Sequence, residues 1–461
     1  MDTLSVFHGE RRIGWLRYEA KEQIYSFEYD PSWQADPKAF DLAPLLSRRE
    51  RNYSGSAVRF FFSNLLPEGE MLEIVSRTHG VSKYDPFGLL RKIGGECAGA
   101  LKILEADTAS PDGRRYKKVP QEELSARARP DSQASLVEMG GGLRMSLAGV
   151  QDKLPSLVDS DNRVFLPEPG SASTHILKPN IRRRDVFPHT AINEHFCMQL
   201  ARRMRIPAAK SFLLSVPERL CAVERFDRVF ELPLIMREEG ATCELEGEPV
   251  RRLHQIDVCQ LLGLPPTQKY EEPEHSAAAP GPDIATVIRA TAESAAEPLV
   301  ATRMIIDWVI FNYLIGNGDA HSKNLSILWR DGRWILAPAY DLVSVAAYSD
   351  DRETLHDFAF KIGTETRYAW ITGSSWYEFS RAVGVSYRYV ASALERMSRL
   401  IRVQADRLLE DLLPVATKEE QEVLHRVLRL IEEHASYARE SAKTIVDAAR
   451  AARGAGKTSR R

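Results

Sequence analysis

Apolar and polar positions along this chain fall into blocks with different periods. Residues 4–7 and 13–16 are apolar-rich runs on either side of His8-Gly9-Glu10, which predicts a β-hairpin, and 24–27 predicts a third strand. Apolar residues between 58 and 77 recur at helical spacing, and 101–104 predicts a strand. A turn-rich stretch from Thr108 to Arg114 follows as a candidate linker. After Gly140-Gly141-Gly142, strands are predicted at 154–158, 164–166 and 174–177, a helix at 190–204, and strands at 212–216 and 220–223. From 255 onward the period is mainly helical, with helices predicted at 283–296, at 298–316 and over most of 376–450. One hairpin interrupts them at 325–336, where Asp331-Gly332 is a strong turn dipeptide. Strands around one helix, followed by helices, is the order of an α+β enzyme with two lobes. The boundaries read from these shifts are 1–107 for a β-rich N-terminal subdomain, 108–252 for the rest of the first lobe, 253–414 for a helical second lobe and 415–461 for a helical extension.

Composition narrows the class. The chain has 461 residues, of which 44% are hydrophobic and 27% charged, as in an ordinary globular protein. Sixty-two Lys and Arg against 64 Asp and Glu leave a net charge of −2, so no overall field attracts nucleic acid or an acidic membrane. Cys97, Cys197, Cys221, Cys243 and Cys259 include no C-x-x-C pair, which predicts neither a disulfide framework nor a structural zinc site and points to the cytoplasm. The first residues do not have the pattern of a signal peptide, and the apolar run 304–315 is broken by Asp307 and Asn312, so no membrane span is expected. The basic end after Ala438 is expected to be a frayed, solvated tail.

The candidate chemistry lies in Gly318-Asp319-Ala-His321-Ser322-Lys323-Asn324, followed by the hairpin and by Pro338-Ala-Tyr340-Asp341. Phosphoryl transfer needs an in-line nucleophile and cations to spread the phosphoryl charge. One carboxylate orients the acceptor hydroxyl and takes its proton; an amide and a second carboxylate suit Mg²⁺, which prefers oxygen ligands. Asp319 is therefore the expected base, and Asn324 and Asp341 the expected metal ligands. The competing role for Asp319 and Asn324 is to satisfy loop backbone groups. Lys178, ending an apolar strand, would meet the ATP phosphates or else snorkel to solvent, with Glu194 as a candidate ion-pair partner. The stretch from Arg144 to Lys153 is placed as a phosphate loop but has a single Gly149, so a plain turn is the alternative. The strand end at Val223-Glu224-Arg225-Phe226 offers main chain to an adenine edge or is only a charged boundary.

Eight blocks, read together, resemble the HipA family of serine/threonine kinase toxins from bacterial type II toxin–antitoxin systems. They are Ser146-Leu-Ala-Gly-Val-Gln-Asp-Lys153, His175-Ile-Leu-Lys178-Pro, Asn193-Glu194, Val223-Glu-Arg-Phe-Asp-Arg228, Arg252-Leu-His-Gln255-x-Asp257-x-Cys259-Gln260, Lys269-Tyr270-Glu271, the Asp319 loop and Pro338-Ala-Tyr-Asp341. The resemblance spans about residues 4–410 and implies a protein-kinase-like fold with an N-terminal β-rich subdomain and an all-helical C-terminal lobe. It implies Mg²⁺ and ATP as cofactors. It places the nucleotide against Ala148, Gly149, Val150, Gln151, Asp152 and Lys153, against Glu224, Arg225 and Phe226, and against His321, Ser322, Lys323, Asn324, Tyr340 and Asp341, with Lys178 on the phosphates. Ser146 matches the autophosphorylated serine that switches such kinases off. The implied partners are a helix-turn-helix, HipB-like antitoxin, operator DNA through that antitoxin, and an aminoacyl-tRNA synthetase substrate, glutamyl-type as prototype. Two other readings stand beside it. A small-molecule phosphotransferase shares the D-x-H-x-x-N loop, and a kinase-fold corepressor would lack catalysis.

Overall fold

The structure is a computed structural model that describes residues 1–458, except 107, 111, 130, 133, 140–144, 147–150, 183–185, 240–241, 273–278 and 349–356. Two compact units divide the chain. The first holds 1–182, 210–266 and 326–337; the second holds 183–209, 267–325 and 338–461.

The first unit opens with a five-stranded antiparallel sheet. The strand Asp2–His8 pairs on one side with Arg11–Glu19 and on the other with Leu101–Glu105, and Ile24–Tyr29 and Asn52–Ser54 extend the sheet. Alternation puts Leu4, Val6 and Leu16 on one face, and Ile13 is buried at the shift of register between Val6 and Phe7; none of the four is exposed. The helical pattern of 58–77 resolves into two helices, Ser56–Ser63 and Gly69–His79. Pro67 lies between them, lacks an N–H and favours extended backbone before it. The candidate linker is tied down: Lys102 meets Asp112 at 2.9 Å, and the Ser110 hydroxyl donates to the Gly9 carbonyl at 2.9 Å.

An eight-stranded sheet follows. Near its middle lies His175–Pro179, held between Leu154–Val158 and Arg219–Glu224. Lys178 stands opposite Cys221 on that strand and is 5% exposed. The hairpin of Ser326–Arg330 and Arg333–Leu336 belongs to this unit and pairs with Gln255–Asp257. Asp331 and Gly332 have φ of 51° and 76°, the left-handed pair that a tight two-residue hairpin turn requires.

The second unit is mainly helical: Thr190–Arg203, Ile284–Ser294, Pro298–Ile315, Gly373–Ala382, Tyr387–Leu412 and Lys418–Thr458, with a small hairpin of Asp357–Ile362 and Glu365–Arg367. By length and composition Pro298–Ile315 is long and apolar enough to cross a membrane, which differs from the expectation that Asp307 and Asn312 exclude a span. It is 61% buried inside the protein, as a core helix is, and Asn312 is fully buried with its amide donating to the Trp308 carbonyl at 2.8 Å.

The C-terminal extension departs from its expected role as a solvated tail. Lys418–Thr458 is a continuous helix whose Val423, Leu424, Val427, Ile431, Ala435, Ala438, Ile445 and Ala449 are each at most 2% exposed. Its apolar spacing of three and four residues is the pattern of a packed face. Most of the basic residues after Ala438 lie on this same helix.

Candidate active site

The core helix Pro298–Ile315 ends at Gly316, with φ of 67°. A Cβ here would lie 2.7 Å from Leu430 and 2.9 Å from Ala346, so both the conformation and the packing call for glycine. The next residue, Asn317, is 1% exposed and works as a joint. Its Nδ2 donates to Asn312 Oδ1 at 2.8 Å and to the Asp341 carbonyl at 3.3 Å, while its Oδ1 accepts the Asp319 N–H at 3.1 Å. One amide thus links the helix end, the residue proposed as base and the segment that carries Asp341.

The rest of the loop closes on the same frame. Asn324 ends a single 3₁₀ turn, Ser322–Asn324, and its Nδ2 donates to the Asp319 carbonyl at 2.7 Å. The Tyr340 hydroxyl donates to the Lys323 carbonyl at 2.7 Å, tying the Asp341 segment to the loop a second time. Asp341 itself has φ of 52°, a left-handed conformation uncommon for a residue with a side chain. Such strain persists only where surrounding contacts hold it, and it gathers at working sites. The structure therefore brings Asp319, Asn324, Tyr340 and Asp341 into one hydrogen-bonded unit.

His321 is buried and packs edge-on against Tyr270, ring centroids 4.9 Å apart, with Nε2 3.7 Å from Asp319 Oδ1. Asp319 is the open member, its side chain 49% exposed. Among the described residues no cluster of three or more His, Cys, Asp or Glu could cage a metal. A hard cation here would need non-protein oxygens to complete its shell, as Mg²⁺ ordinarily does with phosphates. The donor set suits it: Asn324 has its Nδ2 engaged with Asp319, leaving the amide oxygen as the ligand atom, and Asp341 adds a carboxylate.

The first unit positions the remaining candidates differently. Lys178 is buried on a central strand, where an ammonium needs anionic company. Gln151 Nε2 donates to the Pro179 carbonyl at 3.2 Å, which ties the start of the Lys153 segment to the end of the lysine strand. Asp152 is engaged internally: its carboxylate accepts the Ser135 hydroxyl at 2.6 Å and the Leu136 N–H at 3.0 Å. Glu224 pairs with Lys210 at 3.0 Å. Arg225 points into a buried ion cluster, 3.2 Å from Glu96 and 2.7 Å from Asp227. A nucleotide edge at 224–226 would therefore meet main chain and Phe226, not those two side chains. Residues 148–150 lie outside the described residues. At Ser146 the backbone is described, pairing in parallel with Cys97 through Met145–Ser146 and Glu96–Cys97, but the side chain is not.

Two residues here were not singled out from the sequence. Asn317 stands between two glycines just before Asp319 and had no role read from the sequence, because that role depends on reaching Asp341. Tyr270 appeared within a family block without a role; its hydroxyl donates to Asp319 Oδ1.

The chain resembles known proteins over most of its length. The HipA N-terminal domain matches residues 4–104 and the HipA-like C-terminal domain matches 145–405. The chain belongs to the HipA family. It is 32% identical over 428 residues to Y4mE of Sinorhizobium fredii, which carries the name of a kinase, covering 89% of this chain and 92% of that one. It is 28% identical over 440 residues to the serine/threonine-protein kinase toxin HipA of Shewanella oneidensis, covering 93% and 94%. The structure of Shewanella oneidensis HipA, solved with HipB and operator DNA, aligns with a TM-score of 0.78 at 26% identity over 96% of this chain and 99% of that one. By family and by fold this HipA relative is a two-lobed serine/threonine protein kinase.

Proposed function

We propose that this protein is a Mg-ATP-dependent kinase that phosphorylates a protein serine or threonine and acts as the toxin of a toxin–antitoxin pair. The observation that carries the proposal is the frame in which Asn317 joins Asp319 to the Asp341 segment and Asn324 closes back on Asp319. In this reading Asp319 accepts the acceptor hydroxyl's proton as that oxygen bonds to the γ-phosphorus. The bond from the γ-phosphorus to the bridging oxygen breaks, and ADP leaves with the electron pair. Lys178 balances phosphate charge. Asn324 and Asp341 would hold Mg²⁺, whose contribution is to neutralise charge on the β- and γ-phosphates. Most of the catalysis is then placement and electrostatics.

The finer assignments rest on the family. Ser146 is proposed as the self-phosphorylated serine: a phosphate adds roughly −1.5 to −2 charge and would be repelled by bound ATP. A HipB-like antitoxin and operator DNA are proposed partners, supported by the composition of the Shewanella complex. An aminoacyl-tRNA synthetase is proposed as target and the cytoplasm as location.

Incubation with γ-labelled ATP tests the proposal. Wild type should incorporate label, with mass spectrometry placing it on Ser146, and Asp319→Asn should incorporate none. Equal labelling of the two proteins would refute the mechanism. Label on an added amine or sugar, with the protein silent, would move the assignment to a small-molecule phosphotransferase.

A further inference from the structure

Tyr270 lies in a segment pinned to the catalytic loop and its surroundings at several points. The Lys269 carbonyl accepts the Ser322 N–H at 3.0 Å, and the Tyr270 carbonyl accepts the Gly281 N–H at 2.8 Å. Glu271 Oε2 accepts the Lys361 N–H at 2.9 Å. The ring is fixed as well, edge-on to His321 on one side and 5.4 Å from the Lys269 ammonium. Gly281 permits this path: a Cβ there would lie 2.2 Å from the Gln268 carbonyl and 2.4 Å from that of Tyr270.

What this strap presents is a single phenol, donating to Oδ1 of Asp319. His321 Nε2 approaches the same oxygen at 3.7 Å. Among the described residues no hydrogen bond is made to Oδ2. A half-exposed carboxylate otherwise turns freely about its last torsion, which is broad and two-fold. Fixing one oxygen by a strong donor fixes the plane of the group and presents the other oxygen outward.

We infer that Tyr270 is a positioning residue for the base: it holds Oδ1 of Asp319 so that Oδ2 faces the acceptor hydroxyl. The inference rests on the reading of Asp319 as base given above. Phosphoryl transfer depends on near-attack placement, and small losses of alignment cost rate more than they cost binding. A hydrogen bond to a charged group is worth enough that its loss lowers rate about tenfold or more. The strap contributes no new chemistry. It makes a solvent-facing carboxylate rigid.

The test uses the full chain and γ-labelled ATP, with Tyr270→Phe, Gly281→Ala and Asp319→Asn beside wild type. Phe keeps the ring against His321 and removes only the hydroxyl. Tyr270→Phe should lower the maximal self-labelling rate about tenfold, leave the KM for ATP within about twofold, and leave the melting temperature unchanged. Gly281→Ala, which keeps the phenol but pushes its carbonyl, should also lower the rate. A rate at or above wild type for Tyr270→Phe, with Asp319→Asn silent, overturns the inference and leaves the kinase reading intact. A fall in Tyr270→Phe rate that comes with a raised KM and a lowered melting temperature assigns the residue to packing and also overturns it. Undiminished labelling by Asp319→Asn refutes the kinase reading itself.

Discussion

Lys178 shows what a single residue carries here. Its ammonium is buried on an inner strand, and burial of a charge is tolerated only with anionic partners. Methionine has nearly the same length and no charge, so Lys178→Met keeps the volume and removes only the ammonium. It should abolish self-labelling with γ-labelled ATP. Labelling at the wild-type rate would remove Lys178 from the phosphate site. Two histidines of the first unit make a different kind of prediction. His175 and His254 are held neutral by burial, their pKa values pushed down to about 4 and about 3. Above about pH 6.5 they are neutral folded and unfolded alike, so their contribution is constant. Below it the unfolded chain takes up protons that the folded chain refuses, and stability falls by about 1.4 kcal/mol per pH unit for each histidine. The loss runs down to about pH 4 for His175 and about pH 3 for His254. Urea midpoints measured between pH 7 and 5 should fall steadily, and His254→Phe should flatten that slope.

At the scale of elements, the terminal helix and the Asp331-Gly332 turn can be tested separately. Leu424 is fully buried on the terminal helix. Leu424→Ala should cost about 2–5 kcal/mol in urea unfolding, because it removes buried methyl groups and leaves a cavity in their place. A cost near zero would place the helix outside the core. Gly332 takes φ of 76° with no atom within 4 Å of a built Cβ, so its requirement is conformational alone. Gly332→Val should cost about 1–2 kcal/mol through that strained conformation. The helical pattern over 58–77 is instructive beside these. The period was correct on both sides of Pro67, and only the break at the proline turned one helix into two.

At the scale of the whole molecule, a buried polar cluster draws together distant parts of the first unit. Glu96 meets Arg225 at 3.2 Å, Arg228 at 2.9 Å and Arg252 at 2.6 Å, and Asp227 accepts the Gly99 N–H at 2.7 Å. Burial alone would raise the Glu96 carboxyl, but the guanidiniums of Arg252, Arg228 and Arg225 outweigh it and hold the group far below its usual range. Asp227 behaves likewise: burial opposes, and Arg225 and Arg228 prevail. Depressed carboxylates stabilise the fold above their ordinary pKa and release that stability as pH falls below about 4, so the cluster adds to the acid sensitivity from the histidines. Glu96→Gln leaves three buried guanidiniums short of a charge, and unfolding should become easier by about 3–5 kcal/mol. A loss below about 1 kcal/mol would show that the cluster is solvated in solution.

The sequence by itself determined the elements, the family and the site's letters. Hydrophobic period and turn dipeptides are local properties, and a catalytic motif is a short run of residues, so both can be read in order along the chain. The strand of Lys178, the hairpin at Asp331-Gly332 and the loop from Asp319 to Asn324 were all legible in this way. Tertiary structure alone decided which side chains those letters serve. Arg225, read as part of a nucleotide edge, turns inward to Glu96, 129 residues away. Asp152, read as part of a phosphate loop, caps Ser135 and Leu136. Tyr270 reaches Asp319 across 49 residues, and Asn317 reaches Asp341 across 24. Hydrogen bonds and ion pairs are short-ranged, and their partners are chosen by how the chain returns on itself. That return is settled by packing the whole core, including the buried face of the final helix.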